Sequence, residues 1–103
     1  MIFAICNPAA GHGRSKKIGE MVDQYLSQKN IPYRMVYTCH PGHAAELAAE
    51  GRKMGAQMVL SIGGDGTSFE TAQGLMHTDT PMGIIPAGTG NDFIKTIGMD
   101  GGW

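Results

Sequence analysis

Apolar residues come in short unbroken runs separated by longer stretches in which they recur every three or four positions. Residues 2–6, Ile-Phe-Ala-Ile-Cys, form the first run and stop at Asn7-Pro8; an apolar run of this length fits a strand covered on both faces. Ile18, Met21, Val22, Tyr25 and Leu26 then follow at helical spacing, predicting a helix over 16–29 with Ser15 as its N-cap. Pro32 ends that helix, and residues 33–37 give a second strand. Ala44, Ala45, Leu47, Ala48 and Met54 mark a second helix ending near Gly55, and residues 57–62 a third strand. Phe69, Ala72, Leu75 and Met76 mark a third helix, residues 82–85 a fourth strand, and a last helical segment opens at Phe93. Strand and helix alternate throughout, so the expected fold is α/β, a three-layer α/β/α arrangement around a parallel sheet. A strand order of 2-1-3-4 would bring the loops after strands one, three and four together on one ligand, since such sheets bind at the carboxyl ends of their strands.

Composition narrows the picture. With 103 residues there is room for one domain, 1–103, and no apolar run nears the roughly 20 residues that cross a bilayer. No basic leader precedes the first strand, and Cys6 and Cys39 lack CxxC spacing, so a cytoplasmic chain with reduced thiols is expected. The net charge of −1 and 7% aromatic content argue against nucleic acid as a partner. Positive charge is instead gathered at Arg14, Lys16 and Lys17, beside the first loop, where it suits a phosphate. The 16 glycines are about twice the usual share of roughly 7%, and most follow the apolar runs.

Three of these loops carry the chemistry. Asn7-Pro8-Ala9-Ala10-Gly11-His12-Gly13-Arg14 uses small residues to admit a ligand near a helix N-terminus. Lys16 stands where G-x-G-x-x-G needs its third glycine, and there is no Gly-Lys-Ser or Gly-Lys-Thr, so dinucleotide and P-loop readings fall away. Gly63-Gly64-Asp65-Gly66-Thr67 offers several backbone N–H groups to phosphate oxygens, with Asp65 as a magnesium ligand or proton acceptor. The blander reading has Asp65 capping a turn and Thr67 the helix. Pro86-Ala87-Gly88-Thr89-Gly90-Asn91-Asp92 repeats the pattern with neutral hydrogen-bonding groups, Asp92 being equally an N-cap or a ligand. Cys6, His12, Cys39, His40 and His43 fall at the same edge of the sheet and were weighed as a metal site; solvated loop histidines are the simpler reading.

At these loops the sequence resembles the diacylglycerol kinase catalytic family, which includes bacterial lipid kinases, sphingosine kinases and ceramide kinases. The matching stretches are Asn-Pro-x-Ala-Gly-x-Gly, Gly-Gly-Asp-Gly-Thr and Pro-x-Gly-Thr-Gly-Asn-Asp-Phe, in order and spacing. Thr38 followed by Gly42-His43-Ala44 resembles the family's threonine turn. The resemblance implies a fold like the N-terminal domain of NAD kinases and phosphofructokinases. It also implies ATP and Mg2+ as cofactors, a lipid alcohol as second substrate and a second β-rich domain absent from this sequence. Loops and resemblance together give a nucleotide-binding set of Asn7, Pro8, Gly11, Gly13, Arg14, Thr38, Gly63, Gly64, Asp65, Gly66, Thr67, Glu70, Gly88, Thr89 and Asn91, with Asp65 also the catalytic and metal candidate. Two departures stand out. Ser68-Phe69-Glu70 replaces the family's usual x-Asn-Glu, and Lys95 replaces an arginine, losing a bidentate fork. The expected function is the ATP-binding domain of a lipid kinase, inactive alone, with a non-catalytic nucleotide-binding module as the alternative. Peripheral membrane contact of a full-length enzyme and self-association through the edge after strand four complete the expectations.

Overall fold

The computed structural model describes residues 1–87, so the expectations for Gly88, Thr89, Asn91, Asp92 and the segment from Phe93 lie outside the described residues. The elements are β1 (Ile2–Cys6), α1 (Arg14–Gln28), β2 (Tyr33–Tyr37), α2 (His43–Lys53), β3 (Met58–Gly63), α3 (Asp65–Gly74) and β4 (Met82–Pro86). All strand pairs are parallel and the sheet order is β2-β1-β3-β4, as the ligand argument requires. β1 is the central ruler: Ala4 pairs with Met35 on one side and Leu60 on the other, and Cys6 with Tyr37 and Ile62.

Alternation along β1 divides the core between two layers. Phe3 and Ile5 face α2 and pack with Ala44, Leu47, Ala48, Val59 and Leu75. Ala4 and Cys6 face α1 and pack with Ile18, Val22, Tyr25, Leu26, Ile62 and Ile85. Full burial of a large apolar side chain contributes about 1.5–3 kcal/mol, so Phe3, Ile5, Val59 and Ile62, all at 0% exposure, anchor both layers. Helix α2 comes unusually close to β1 because it carries Gly51, where a Cβ would sit 2.6 Å from the Phe3 ring.

Three local expectations are corrected. Ser15 does not cap α1: Gly13, in a left-handed conformation, holds that position, and the Ser15 hydroxyl is buried and donates to the Ile62 carbonyl at 3.2 Å. The residues Asp65, Gly66 and Thr67 are not loop but the first turn of α3, with Gly64 as N-cap and no side-chain cap. The buried face of α3 is also different from the apolar pattern: Thr67 and Thr71 are buried, whereas Phe69 is 66% and Met76 59% exposed. Thr71 tolerates burial because its hydroxyl donates to the Thr67 carbonyl at 2.7 Å.

Candidate functional site

The carboxyl ends of β1, β2 and β3 are tied into one edge by backbone and side-chain hydrogen bonds. Asn7 N–H donates to the Ile62 carbonyl and Thr38 N–H to the Cys6 carbonyl, both at 2.9 Å. The Asn7 side chain accepts from Ala9 N–H at 3.1 Å, turning the chain sharply out of β1. Cys6 and Ser15 lock this corner from beneath: Cys6 Sγ lies 3.4 Å from both the Ser15 carbonyl and its Oγ. Burial raises the Cys6 thiol above its ordinary pKa, the Ser15 hydrogen bond partly opposing it, so this sulfur is a packed, neutral group rather than a nucleophile.

A cavity of about 530 Å³ opens at this edge, lined by Asn7, Pro8, Ala9, Thr38, Cys39, His40, Pro41, Ala44, Gly66, Thr67 and Glu70. It lies between the first turns of α2 and α3, which contribute Ala44 from one side and Gly66 and Thr67 from the other. Helix N-termini carry unpaired N–H groups and the positive end of the peptide dipole, so two of them on one cavity favour an anion. Gly63 shapes this corner: a Cβ there would come within 2.7 Å of Thr67 Oγ1, so only glycine lets the Thr67 side chain fold over the end of β3.

Six of the expected residues, Asn7, Pro8, Thr38, Gly66, Thr67 and Glu70, line the cavity together. Gly63, Gly64 and Asp65 adjoin it in sequence, and Asp65 is the exposed first residue of α3. Gly11, Gly13 and Arg14 are not among its lining residues. Gly11 instead packs against Ala87, where an added Cβ would lie 3.0 Å from the alanine side chain, so the first loop leans on the start of the third. Gly13 caps α1 and Arg14 is that helix's exposed first residue. The sequence reading passed over Ala9, Cys39, His40, Pro41 and Ala44 as lining residues; the cue for all but Ala9 was the Cys-His-Pro-Gly-His turn directly after Thr38.

Strand order, helices on both faces and a cavity at the carboxyl edge define a doubly wound α/β domain with its binding edge at the strand ends. The chain belongs to the diacylglycerol kinase catalytic domain family, whose model matches residues 1–102. It is 34% identical over 98 residues to a diacylglycerol kinase of Mycobacterium tuberculosis, covering 95% of this chain and 32% of that protein. Over 105 residues it is 32% identical to sphingoid long-chain bases kinase 1 of Arabidopsis thaliana, covering 93% of this chain and 14% of that one. The crystal structure of a diacylglycerol kinase from Bacillus anthracis superposes with a TM-score of 0.72 at 30% identity, over 94% of this chain and 36% of that chain. The chain thus spans about a third or less of the length of these relatives. Among the described residues no helix is long and apolar enough to cross a membrane.

Proposed function

We propose that residues 1–103 are the ATP-binding domain of a lipid kinase that transfers the γ-phosphate of ATP to a lipid hydroxyl. The observation that carries this reading is the cavity at the strand ends, flanked by the first turns of α2 and α3 and lined by Asn7, Thr38, Gly66 and Thr67. The exposed backbone N–H groups of those turns would receive phosphate oxygens, and the Thr38 and Thr67 hydroxyls would add neutral hydrogen bonds. Gly63, Gly64, Gly88, Thr89 and Asn91 would complete the proposed phosphate cradle, with Gly11 and Gly13 shaping the first loop behind Asn7 and Pro8 and Arg14 adding positive charge from the start of α1.

Asp65 is the proposed catalytic carboxylate. Exposed beside the cavity, it has the hard oxygen donors that suit Mg2+, which is usually held by one or two carboxylates together with the nucleotide's own phosphates. When bound, the metal would neutralise charge on the transferring phosphoryl group. Asp65 itself would orient that assembly or accept the proton of the attacking lipid hydroxyl, whose oxygen bonds to the γ-phosphorus as the bond to the departing ADP breaks. Glu70, five residues further along α3 and itself on the cavity wall, is placed to carry a second carboxylate.

The test is radiolabelled phosphate transfer from Mg-ATP to diacylglycerol by the longest natural form of the protein. Asp65→Asn should lower turnover at least ~100-fold while leaving the folded state and ATP binding in place, the range usual for a lost acid–base group. Wild-type-like turnover in that variant would remove Asp65 from the mechanism. ATP binding without transfer from the unmodified protein would replace the kinase reading with a non-catalytic nucleotide-binding module.

A further inference from the structure

The turn between β2 and α2 carries, at the rim of the cavity, a side-chain cluster to which the proposed phosphate contacts assign no role. His40, His43 and Glu46 each bring a possible ligand atom to within 4.8 Å of the other two. His43 and Glu46 are three residues apart on α2 and therefore share a face. The Pro41-Gly42 turn, with Gly42 in a left-handed conformation at φ 83°, folds His40 back until its ring stacks on His43, centroids 4.4 Å apart and 15° from parallel. We propose that these three side chains bind a divalent transition-metal ion of the zinc class, at the rim of the cavity and separate from any magnesium at Asp65.

A hydrogen bond orients the first ligand. His40 Nδ1 lies 2.9 Å from the Pro41 carbonyl; a carbonyl only accepts, so this nitrogen carries a hydrogen and Nε2 is the atom left to ligate. Metal-bound histidines are commonly held in this way, by a hydrogen bond from the nitrogen that does not ligate. That Nε2 faces Glu46 Oε2 at 3.9 Å. A cation between them would meet a nitrogen donor on one side and an oxygen donor on the other. His43 Nδ1 accepts the Cys39 N–H at 2.9 Å, so His43 joins the site by exchanging that bond for the metal, its amide partner turning to water at this exposed turn.

Distance and ligand type select the ion. Nitrogens at about 2.0–2.1 Å from a tetrahedral centre are roughly 3.3 Å apart, so the cluster must contract by up to about 1.5 Å. Side-chain exposures of 53% for His40 and 70% for Glu46 leave them free to do so. Two imidazoles and one carboxylate favour zinc, nickel or copper over magnesium and calcium, which prefer all-oxygen shells. Three protein ligands leave one position open, and His40 itself lines the cavity, so that position lies at the cavity's edge.

The competing account is an ordinary ion pair between protonated His40 and Glu46. Untagged, metal-stripped protein titrated with Zn2+ in a calorimeter, and with Co2+ by visible absorption, separates the two. One saturable ion per chain is expected, with the intense Co2+ bands of a four-coordinate site. His40→Ala and His43→Ala should each weaken binding at least tenfold, and Glu46→Gln about tenfold. The other two histidines, His12 and His77, have positive φ of 56° and 63°, so His12→Asn and His77→Asn are the controls that keep those turns intact, and neither should change the affinity. Absence of saturable Zn2+ binding, equal competition by Mg2+, or binding retained in His40→Ala but lost in Cys39→Ser each overturns the proposal. Should either alanine variant lose its far-UV dichroism, Glu46→Gln, a near-isosteric change on an exposed side chain, decides the matter alone.

Discussion

At Asp65 three glycines around one carboxylate and one hydroxyl mark a candidate for chemistry; that it opens a helix is not legible, because Gly64-Asp65-Gly66 is poor helix-forming sequence and tertiary packing overrides it. Ser15 read as a cap because serine favours that place, yet its hydroxyl found a stronger claim in the Ile62 carbonyl. Glu46 escaped notice for the opposite reason: it sits on the polar side of α2's apolar pattern, and only the folded turn brings His40 to it. The buried Cys6 thiol carries a pH prediction. Its pKa is raised from 9.0, first by burial, so the native state holds its proton where the unfolded chain has already released it. Stability from this group is therefore whole below pH 9.0 and declines as pH rises from there through the native value. Urea midpoints measured from pH 7 to 10.5 should fall above 9, and fall less steeply in Cys6→Ala.

At the level of elements, the apolar runs and helical spacings located every strand and helix among the described residues, with boundaries off by a residue or two at most except at α3. The exception has a physical cause. α3 packs through small and hydroxyl-bearing residues, Thr67 and Thr71, whose burial depends on a helix-internal hydrogen bond that hydrophobicity does not register. Close approach also governs its contact with α2. At Gly74 an added Cβ would sit 2.3 Å from the Ala45 carbonyl oxygen and 2.8 Å from the Ala48 Cβ. Gly74→Ala must therefore push the two helices apart and should lower stability by about 1–3 kcal/mol in urea unfolding. Gly66→Ala, by contrast, meets nothing within 4 Å, and a helix-favouring residue there should leave stability equal or raised by up to about 1 kcal/mol. Equal losses in the two variants would show that flexibility, not space, is what these glycines supply.

For the molecule as a whole, the expected strand order 2-1-3-4, one that sets the glycine-rich ends of strands one, three and four side by side, is the order found. What could not be read was which parts of those ends share one cavity. Within the first loop Asn7, Pro8 and Ala9 line the cavity while Gly11 packs on Ala87, and the turn after β2 supplies a wall through Cys39, His40 and Pro41 as well as the expected Thr38. The chain's match to a third or less of its longer relatives bears on activity. Phosphoryl transfer needs a water-poor, fully walled site, and the described residues wall the cavity from the ends of β1 and β2 and the starts of α2 and α3. Residues 1–103 expressed alone should therefore bind Mg-ATP yet give no detectable labelled lipid, and clear turnover from that polypeptide would show the domain to be self-sufficient.

The Ile62 carbonyl receives both the Asn7 amide and the Ser15 hydroxyl, partners 55 and 47 residues earlier in the chain. During synthesis those groups leave the ribosome long before their acceptor does. At about 5–20 residues per second, the Asn7 amide and Ser15 hydroxyl stay bonded to water for several seconds before their acceptor is made. This corner of the cleft therefore takes its native form only once β3 has been synthesised.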